Sequence, residues 1–313
     1  MKVCISLCTR NRPQMLAQCL ASLVPAIAAA PEAEVFVIVV ENSPVPDSQA
    51  VVTSFAGKLG LHYFLEAEPG IPFARNCGID EALKRGFDWL IFIDDDEFVQ
   101  ENWLSVLIAA PARFDAGVFT GPRLRIYPPG SPAWFPHDLG ETRAKTGTRR
   151  RTAYTANTMA AARLFRADGM GLRFDGRFRH TGGSDNDLFR RFTRAGGQIV
   201  WIDEAILREE FPVERMNLRW NFARYLRMTN NAVFMERYHL GLWRGTAEVL
   251  KLLPAMLFWM SARLILGLVR YPLDPTDGRR NLFMATMKAA GIWGIVLGLS
   301  GIKVHPYRKT EGS

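Results

Sequence analysis

A chain of 313 residues is long enough to bury a large core, and with 48% hydrophobic and 22% charged residues it is not an intrinsically disordered protein. Its net charge of +8 predicts an anionic partner, such as anionic lipid headgroups or a phosphorylated substrate. Nucleic acid is not expected as a partner, because the sequence has no zinc-finger spacing, no RNA-binding signature and no clear helix-turn-helix pattern.

The first third of the chain alternates apolar strand-like runs with helix-like segments. "VCISLCT" at 3–9 predicts a first strand, and apolar positions at helical spacing predict a helix over 13–29. "EVFVIVVENS" at 34–43 predicts a second strand, and a helix around 47–59 leads to a short third strand, "LHYFLEA". Strands and helices that alternate in this way indicate an α/β fold.

The next segment contains a loop, a helix and a strongly apolar strand. We expect "GIPFARN" at 70–76 to be a loop and "CGIDEALKRG" at 77–86 to be a helix. "WLIFIDDDE" at 89–97 predicts a fourth strand, and 102–110 the helix after it. Because these strands are apolar almost throughout, they indicate a mostly parallel sheet that is covered on both faces.

Polar side chains stand at the carboxyl ends of three of these strands. Thr9 ends the first strand, Glu41 ends the second, and Asp94, Asp95 and Asp96 end the fourth. Ligands of such sheets bind outside the carboxyl ends of the strands, so these groups are expected to converge on one site.

The three aspartates are the main candidate for a cation site. Alternation along an extended segment would place Asp94 and Asp96 on one face and Asp95 on the other. Carboxylate oxygens suit Mg²⁺ or Mn²⁺, which keep several waters and take further ligands from substrate phosphates. A solvated acidic turn at the end of a strand is the alternative interpretation.

The middle of the chain, 111–200, is less regular, whereas the last third is apolar and helical. Two apolar segments, 242–271 and 282–302, are flanked by basic residues and are interrupted by Arg263 and Lys288. These interruptions favour an interfacial or re-entrant helical pair over two full membrane spans. A buried helical hairpin is the alternative.

Five separated motifs resemble those of the family 2 glycosyltransferases, which have the GT-A fold. In chain order they are "ISLCTRNRP", "VVENSP", "EPGIPFARNCGIDEA", "FIDDDE" and "HTGGSDNDLFRRF". The resemblance is greatest to bacterial enzymes that build exopolysaccharides or other surface glycans on lipid carriers. It implies a GT-A catalytic domain over 1–215, with a nucleotide-binding half over 1–110 and an acceptor-binding half over 111–215. A helical, membrane-associated region would follow over 216–313.

The resemblance implies where the donor would bind. Thr9, Arg10 and Asn11 after the first strand, with Glu41 after the second, would form the pocket for the base and ribose. A carboxylate such as that of Glu41 accepts the N–H of a uracil ring, which suggests a donor linked to uridine diphosphate.

The same resemblance implies roles for the basic and acidic groups near the diphosphate. Arg75 would contact the nucleotide with its planar donors, although an ion pair with the aspartates is an alternative role for it. Asp94 and Asp96 would act with a divalent Mn²⁺ or Mg²⁺, and Asp95 would hold the ribose or the water shell of the ion.

The motif "HTGGSDNDLFRRF" at 180–192 suggests the general base. The family commonly reads Gly-Glu-Asp here, so Asp185 matches its base while Ser184 replaces its Glu and is the expected N-cap of a helix. Asp187 is a rival base, although the helix dipole also explains an aspartate in a first helical turn.

The predicted reaction is a single displacement with inversion, in which Asp185 takes a proton from the acceptor hydroxyl. The predicted enzyme is a metal-dependent hexosyltransferase of cell-surface polysaccharide biosynthesis, and its acceptor is a lipid-linked saccharide or glycan. Arg219 and Trp220 resemble part of a motif of processive synthases, but Met216 stands where that motif has Gln, which disfavours a processive polymerase.

Two other functions fit parts of the sequence. A sugar nucleotidyltransferase shares the sheet and the acidic site, but it is disfavoured because "CTRNRP" lacks the glycines of its amino-terminal loop. A catalytically silent membrane scaffold of the same fold is the second alternative.

The amino terminus and the cysteines predict the location of the protein. The first apolar stretch is too short for a signal peptide, and the four cysteines form no CxxC arrangement. We therefore expect reduced thiols and an enzyme at the cytoplasmic face of a bacterial plasma (inner) membrane, with the membrane surface as a partner.

Overall fold

The computed structural model describes residues 1–137 and 143–304, which form a large central sheet, a small second sheet and a group of carboxyl-terminal helices. The strands are β1 (Lys2–Thr9), β2 (Glu34–Glu41), β3 (Leu61–Leu65), β4 (Trp89–Asp94), β5 (Glu97–Val99), β6 (Val118–Thr120), β7 (Arg123–Ile126), β8 (Arg149–Arg150), β9 (Thr158–Ala161), β10 (Ile199–Trp201) and β11 (Leu207–Glu210). The helices are α1 (Pro13–Ala28), α2 (Gln49–Phe55), α3 (Ile71–Arg85), α4 (Trp103–Arg113), α5 (Ser184–Arg194), α6 (Leu218–Leu240), α7 (Leu242–Leu250), α8 (Leu253–Arg270) and α9 (Pro275–Leu299).

The central sheet has the strand order β3-β2-β1-β4-β9-β6-β10-β8, and its first four strands are parallel. The register pairs Thr9 with Glu41 and Cys8 with Asp94, so the carboxyl ends of β1, β2 and β4 lie at the same edge. This confirms the predicted convergence of the strand ends. The second half of the sheet is mixed, because β9 runs antiparallel to both β4 and β6.

The core lies on both faces of the sheet, as the nearly continuous apolar strands predicted. Alternate residues of β1, such as Ile5 and Leu7, pack with Leu20 of α1 and Leu107 of α4. The opposite face, with Cys4, packs against α3 and α5. The helices on the two faces therefore fix the strand ends from both sides.

The small sheet continues directly from the acidic strand end. Its order is β5-β11-β7, with β11 antiparallel to β5 and parallel to β7. Because β5 begins at Glu97, this sheet brings β7 and β11 next to the aspartates of β4.

The prediction of a loop over "GIPFARN" is wrong, because α3 already begins at Ile71. Pro72 stands in the first turn of the helix, where a proline needs no hydrogen-bonding partner for a backbone N–H. The Asn42 side chain accepts a hydrogen bond of 2.8 Å from the Gly70 N–H, which fixes the start of the helix. Arg75 therefore projects from a helix and not from a loop.

The prediction that Ser184 caps α5 is also wrong. Gly183 is the N-cap, with a left-handed φ of 88°, and Ser184 is the first helical residue and is buried. A Cβ at position 183 would lie 2.7 Å from the Asn231 amide, so the close approach of α6 and the backbone angle both require glycine here.

The carboxyl-terminal helices expose much of their apolar surface. Two segments, Leu242–Arg270 and Pro275–Leu299, are long and apolar enough to cross a membrane, by length and composition. Only 6% of the most apolar window of the first is buried, against 44% for the second, which packs between α6 and α8. A buried helical hairpin is therefore wrong for α8.

Candidate active site

The acidic end of β4 turns out of the strand directly after Asp94, so the predicted alternation of the three aspartates is wrong. Asp95 and Asp96 share a turn, and Arg12 lies 3.5 Å from a carboxylate oxygen of each. Thr9 donates a hydrogen bond of 2.7 Å to Asp95, which ties this turn to the end of β1. Strand periodicity does not apply once the chain has left the strand.

Arg12 is a member of the site that was not predicted from the sequence. Arg12 directly precedes Pro13 at the start of α1, in the same loop as Arg10 and Asn11. Asn11 is exposed and has a left-handed φ of 52°. A basic residue between the end of β1 and a helix-starting proline was the available signal.

Arg75 forms an ion pair with Asp94, which was the alternative role predicted for it from the sequence. Its guanidinium donates a hydrogen bond of 3.0 Å to Asp94, and its Cζ lies 5.6 Å from the centre of the Phe174 ring. Burial opposes ionisation of Arg75, but the charges of Asp94, Cys8 and Asp185 outweigh it and raise the pKa of this arginine. Arg75 is therefore a buried, permanent cation at the acidic strand end.

The carboxylates at this edge carry more negative charge than their partners balance. Burial, followed by the charges of Asp94, Glu209 and Asp95, raises the pKa of Asp96 to about 7. Burial and Asp94 also raise the pKa of Glu97 well above its ordinary value, although Glu97 accepts a hydrogen bond of 2.8 Å from the Asp94 N–H.

This excess of carboxylate fits a divalent cation. Within residues 1–137 and 143–304, no group of three or more His, Cys, Asp or Glu side chains is arranged to hold a metal ion. Asp94 and Asp96 would therefore hold the ion with few protein ligands, as is usual for Mg²⁺ when substrate phosphates complete its shell. A fully solvated acidic turn does not fit, because Asp95 is only 5% exposed and the side chain of Asp96 only 25%.

The Glu41 carboxylate is enclosed by protein groups, whereas its expected role requires a carboxylate that is open to a uracil ring. The side chain is fully buried, and it accepts hydrogen bonds from the N–H groups of Asp47 and Ser48 at 3.1 and 3.2 Å. It also accepts a hydrogen bond from the Tyr63 hydroxyl. The predicted contact of Glu41 with a uracil ring is thus corrected to a structural role, in which the carboxylate holds the loop after β2.

The structure distinguishes the two candidate bases. Asp187 is fully buried, lies 3.2 Å from His239 and accepts a hydrogen bond of 2.9 Å from Arg191. Asp185 is half-exposed, and its carboxylate accepts a hydrogen bond of 2.8 Å from the Asn186 N–H. Only Asp185 of these two remains available to an acceptor.

Two tethers place α5 beside the acidic strand end. Asn76 of α3 exchanges two hydrogen bonds, of 2.9 and 2.8 Å, with the backbone of Phe174 on the approach to α5. Arg190 forms a bidentate pair with Glu236 of α6, at 2.6 and 2.8 Å. The charges of Asp94 and Asp185 both act on the guanidinium of Arg75.

Comparisons with known proteins agree with this architecture. The family model described as "Glycosyl transferase family 2" matches residues 4–170. The chain is 31% identical over 307 residues to the succinoglycan biosynthesis protein ExoM of Rhizobium meliloti (strain 1021), over 96% of this chain and 93% of ExoM.

Solved structures share the fold at low sequence identity. Residues 1–349 of S. aureus TarS in complex with UDP-GlcNAc superpose with a TM-score of 0.52 at 14% identity, over 96% of this chain and 91% of that one. The mannosyltransferase PcManGT of Pyrobaculum calidifontis, in complex with GDP-Man and Mn²⁺, gives a TM-score of 0.57 at 13% identity, over 93% and 87% of the two chains.

Proposed function

The chain belongs to glycosyl transferase family 2 and is a glycosyltransferase with the GT-A fold, and from this premise we propose that it transfers a sugar, with inversion, from a nucleoside-diphosphate sugar to a lipid-linked saccharide or glycan. The observation that carries the proposal is the buried Arg75 guanidinium, which donates a hydrogen bond of 3.0 Å to Asp94 and is also acted on by the charge of Asp185. A single displacement requires a positive charge that binds the departing diphosphate and a base that takes the proton of the acceptor hydroxyl.

The donor would bind over the ends of β1 and β4. We propose that Thr9, Arg10 and Asn11 line the pocket for the base and ribose, with Asp95 nearby through its hydrogen bond to Thr9. Arg75 would bind the diphosphate, because its planar, permanently charged donors suit phosphate oxygens. When bound, Mn²⁺ or Mg²⁺ held by Asp94 and Asp96 supplies positive charge against the departing diphosphate.

Structures that share the fold suggest what kind of nucleotide the donor carries. TarS has been solved with UDP-GlcNAc and PcManGT with GDP-Man, so nucleoside-diphosphate sugars bind to this fold. We propose a hexose linked to uridine diphosphate.

Asp185 would be the general base of the reaction. Its half-exposed carboxylate would take the proton of the acceptor hydroxyl as that oxygen attacks the anomeric carbon. One base and one charged site for the leaving group give one displacement, and a single displacement inverts the anomeric centre.

We further propose that the enzyme acts in bacterial surface-polysaccharide synthesis at the cytoplasmic face of the inner membrane. The exposed apolar surface of α8 supports membrane association, and the relative ExoM is a succinoglycan biosynthesis protein. In this proposal 1–215 is the catalytic domain, with its nucleotide-binding half over 1–110 and its acceptor-binding half over 111–215. Residues 216–313 would associate with the membrane.

Incubation with a panel of radiolabelled nucleotide sugars, with and without Mn²⁺, tests the reaction. We expect Mn²⁺-dependent release of nucleoside diphosphate from one donor of the panel. Formation of pyrophosphate from a sugar phosphate and a nucleoside triphosphate would instead indicate a nucleotidyltransferase. Absence of turnover with every donor would indicate a silent scaffold.

A further inference from the structure

A cluster of arginines beside the acidic strand end has no role in the reaction proposed above. Arg123 and Arg125 belong to β7, and Arg224 and Arg227 belong to α6. The Cζ of Arg125 lies 4.7 Å from the centre of the Phe211 ring, and this ring lies 6.0 Å from that of Trp220, on which Arg224 stacks. The arginines of β7 and α6 therefore flank one pair of aromatic rings, and the charges of Arg123, Arg125 and Arg227 all act on Arg224.

Two carboxylates, those of Glu209 and Glu97, face the arginines of β7. Glu209 lies 3.3 Å from the Nε of Arg123 and 4.0 Å from the Nε of Arg125. Glu97 lies 3.8 Å from Arg123 and accepts a hydrogen bond of 2.8 Å from the Asp94 N–H. Glu209 therefore faces both arginines of β7.

Arg224 is the member whose charge is balanced least. Its Cζ lies 5.1 Å from the centre of the Trp220 ring, and in the described part of the chain it forms no ion pair with a carboxylate. Burial, followed by the charges of Arg125 and Arg123, lowers the pKa of Arg224 to about 10. An anion beside Arg224 would relieve this repulsion.

The position of the cluster indicates which anion would bind. Glu209 also acts on Asp96, so the arginines lie next to the proposed donor site. Further along α6, Leu226 and Thr229 pack against Gly294 of α9, which in turn packs on the exposed apolar helix α8. The helix that carries Arg224 and the exposed apolar helix α8 therefore belong to one helical group, which suits a molecule with an apolar tail and a phosphate.

We propose that Arg224, together with Arg123 and Arg125, binds the phosphate or pyrophosphate group of the lipid-linked acceptor. This inference rests on the proposed function, since it names the part of the acceptor that this site recognises. Guanidinium groups suit the site because they bind phosphate oxygens in a bidentate manner and remain charged when partly buried. The donor diphosphate is the other source of the same chemistry, and the experiment separates the two.

Farnesyl pyrophosphate serves as the probe, and farnesol serves as its uncharged counterpart. Their binding to the full chain in detergent is measured by calorimetry, beside that of UDP with Mn²⁺. We expect farnesyl pyrophosphate to bind more tightly than farnesol, and R224Q to weaken it about tenfold to a hundredfold, the loss of one charge-assisted contact. The affinity for UDP should stay within about twofold, because the proposed diphosphate ligand Arg75 is intact.

R113Q is the matched control, because Arg113 is an exposed arginine at the end of α4 and the substitution removes the same charge. It should leave the affinity for farnesyl pyrophosphate unchanged. R224K, which keeps the charge but loses the bidentate donors, should lose less affinity than R224Q. Since R224Q removes repulsion among the arginines, its Tm should not fall below that of the wild type.

Two results would overturn the inference. In one, R224Q binds farnesyl pyrophosphate as tightly as the wild type. In the other, R224Q weakens UDP binding as much as it weakens farnesyl pyrophosphate binding, which would assign the arginines to the donor. If wild-type protein binds farnesyl pyrophosphate but not UDP, the proposed donor reaction fails while the anion site stands.

Discussion

The Arg75 guanidinium donates a hydrogen bond of 3.0 Å to the Asp94 carboxylate, and this pair joins α3 to the carboxyl end of β4. The charge of Asp185 of α5 also acts on this guanidinium. The helix α3 and the strand β4 follow each other in the chain, whereas α5 comes much later, and all three contribute to the surroundings of this one charged group. A diphosphate that binds there meets a cation already held in place by Asp94, so little reorganisation accompanies binding.

Replacement of Asp96 should abolish cation-dependent donor binding. Asp96→Asn removes a charge from the pair of carboxylates proposed to hold the cation, so Mn²⁺ should no longer strengthen the binding of UDP. The measurement is calorimetric titration of UDP with and without Mn²⁺. Asp88→Asn is the control, because Asp88 is exposed at the opposite end of β4. Retention of Mn²⁺-dependent binding by Asp96→Asn would contradict the assignment.

The raised pKa of Asp96 predicts how the stability of the folded protein depends on pH. Its pKa is about 7 in the folded protein and about 3.9 in an unfolded chain. The folded state therefore carries a penalty that is absent below pH 4, grows as the pH rises and is complete above pH 7. Without metal, Asp96→Asn should raise the Tm at pH 8 by at least roughly 2–4 °C, the equivalent of about 1 kcal/mol.

The increase in Tm caused by Asp96→Asn should be smaller at pH 4.5. At that pH the folded wild type is protonated at Asp96, and only a small part of the destabilisation by its charge is present. Thermal unfolding of both proteins at pH 4.5 and pH 8, in a chelator, provides the comparison. An equal change in Tm at the two pH values would show that the pKa of Asp96 is not raised.

Replacement of Asp185 should slow the reaction without weakening donor binding. Asp185→Asn keeps the shape of the side chain but cannot take the acceptor proton, so kcat should fall by about 10²- to 10⁴-fold. Steady-state kinetics with the identified donor and acceptor, beside calorimetric binding of the donor, measure both quantities. Normal turnover would show that another group is the base.

Asp187→Asn is the matched comparison, because it makes the same chemical change two residues away. Asp187 is buried against Arg191 and His239, so its replacement should lower the Tm and need not change kcat in the protein that remains folded. If Asp187→Asn slowed turnover as much as Asp185→Asn, the distinction between the two aspartates would fail.

The sequence predicted the convergence of the strand ends because that feature depends on local patterns. The apolar runs before Thr9 and Asp94 specify buried parallel strands, and parallel strands that lie side by side end at one edge. The start of α3 was missed because Gly70 and Pro72 suggested a turn, whereas the structure uses them to begin a helix.

Other features depend on contacts between residues far apart in the chain, which sequence patterns do not reveal. The partner of Glu41 on β3, Tyr63, is 22 residues away, and the partners of Arg12 in the β4 turn are more than 80 residues away. The local sequence pattern of an acidic residue at the end of a strand is the same whether its side chain faces a ligand or holds a loop. The tertiary partners decide between these roles.

Replacement of Glu41 tests its corrected role. Glu41→Gln weakens the hydrogen bonds that the buried carboxylate accepts from Asp47, Ser48 and Tyr63. We expect a loss of about 2 kcal/mol, or roughly 4–8 °C in Tm, with faster proteolysis of the loop after β2. The affinity for UDP should change less than about threefold. Tyr63→Phe, which removes one partner only, should have a smaller effect on Tm.

The exposed apolar face of α8 predicts that the protein binds membranes by burial of apolar surface. Phe258 and Ile265 lie two turns apart on this helix and are 64% and 62% exposed. Wild-type protein should stay in the membrane fraction after a wash in about 1 M salt, because the Debye length is then about 3 Å and surface charges are screened. Phe258→Glu with Ile265→Glu should shift it to the soluble fraction, since charged side chains are costly to place in hydrocarbon.

Met170→Glu with Val213→Glu is the control for this experiment, because both side chains are exposed and apolar but lie outside α8. These substitutions add the same charge and should leave the protein in the membrane fraction. Flotation with phosphatidylcholine vesicles that contain phosphatidylglycerol repeats the comparison with purified proteins. Release of the wild type by salt alone would mean that its basic residues, and not α8, hold it at the membrane.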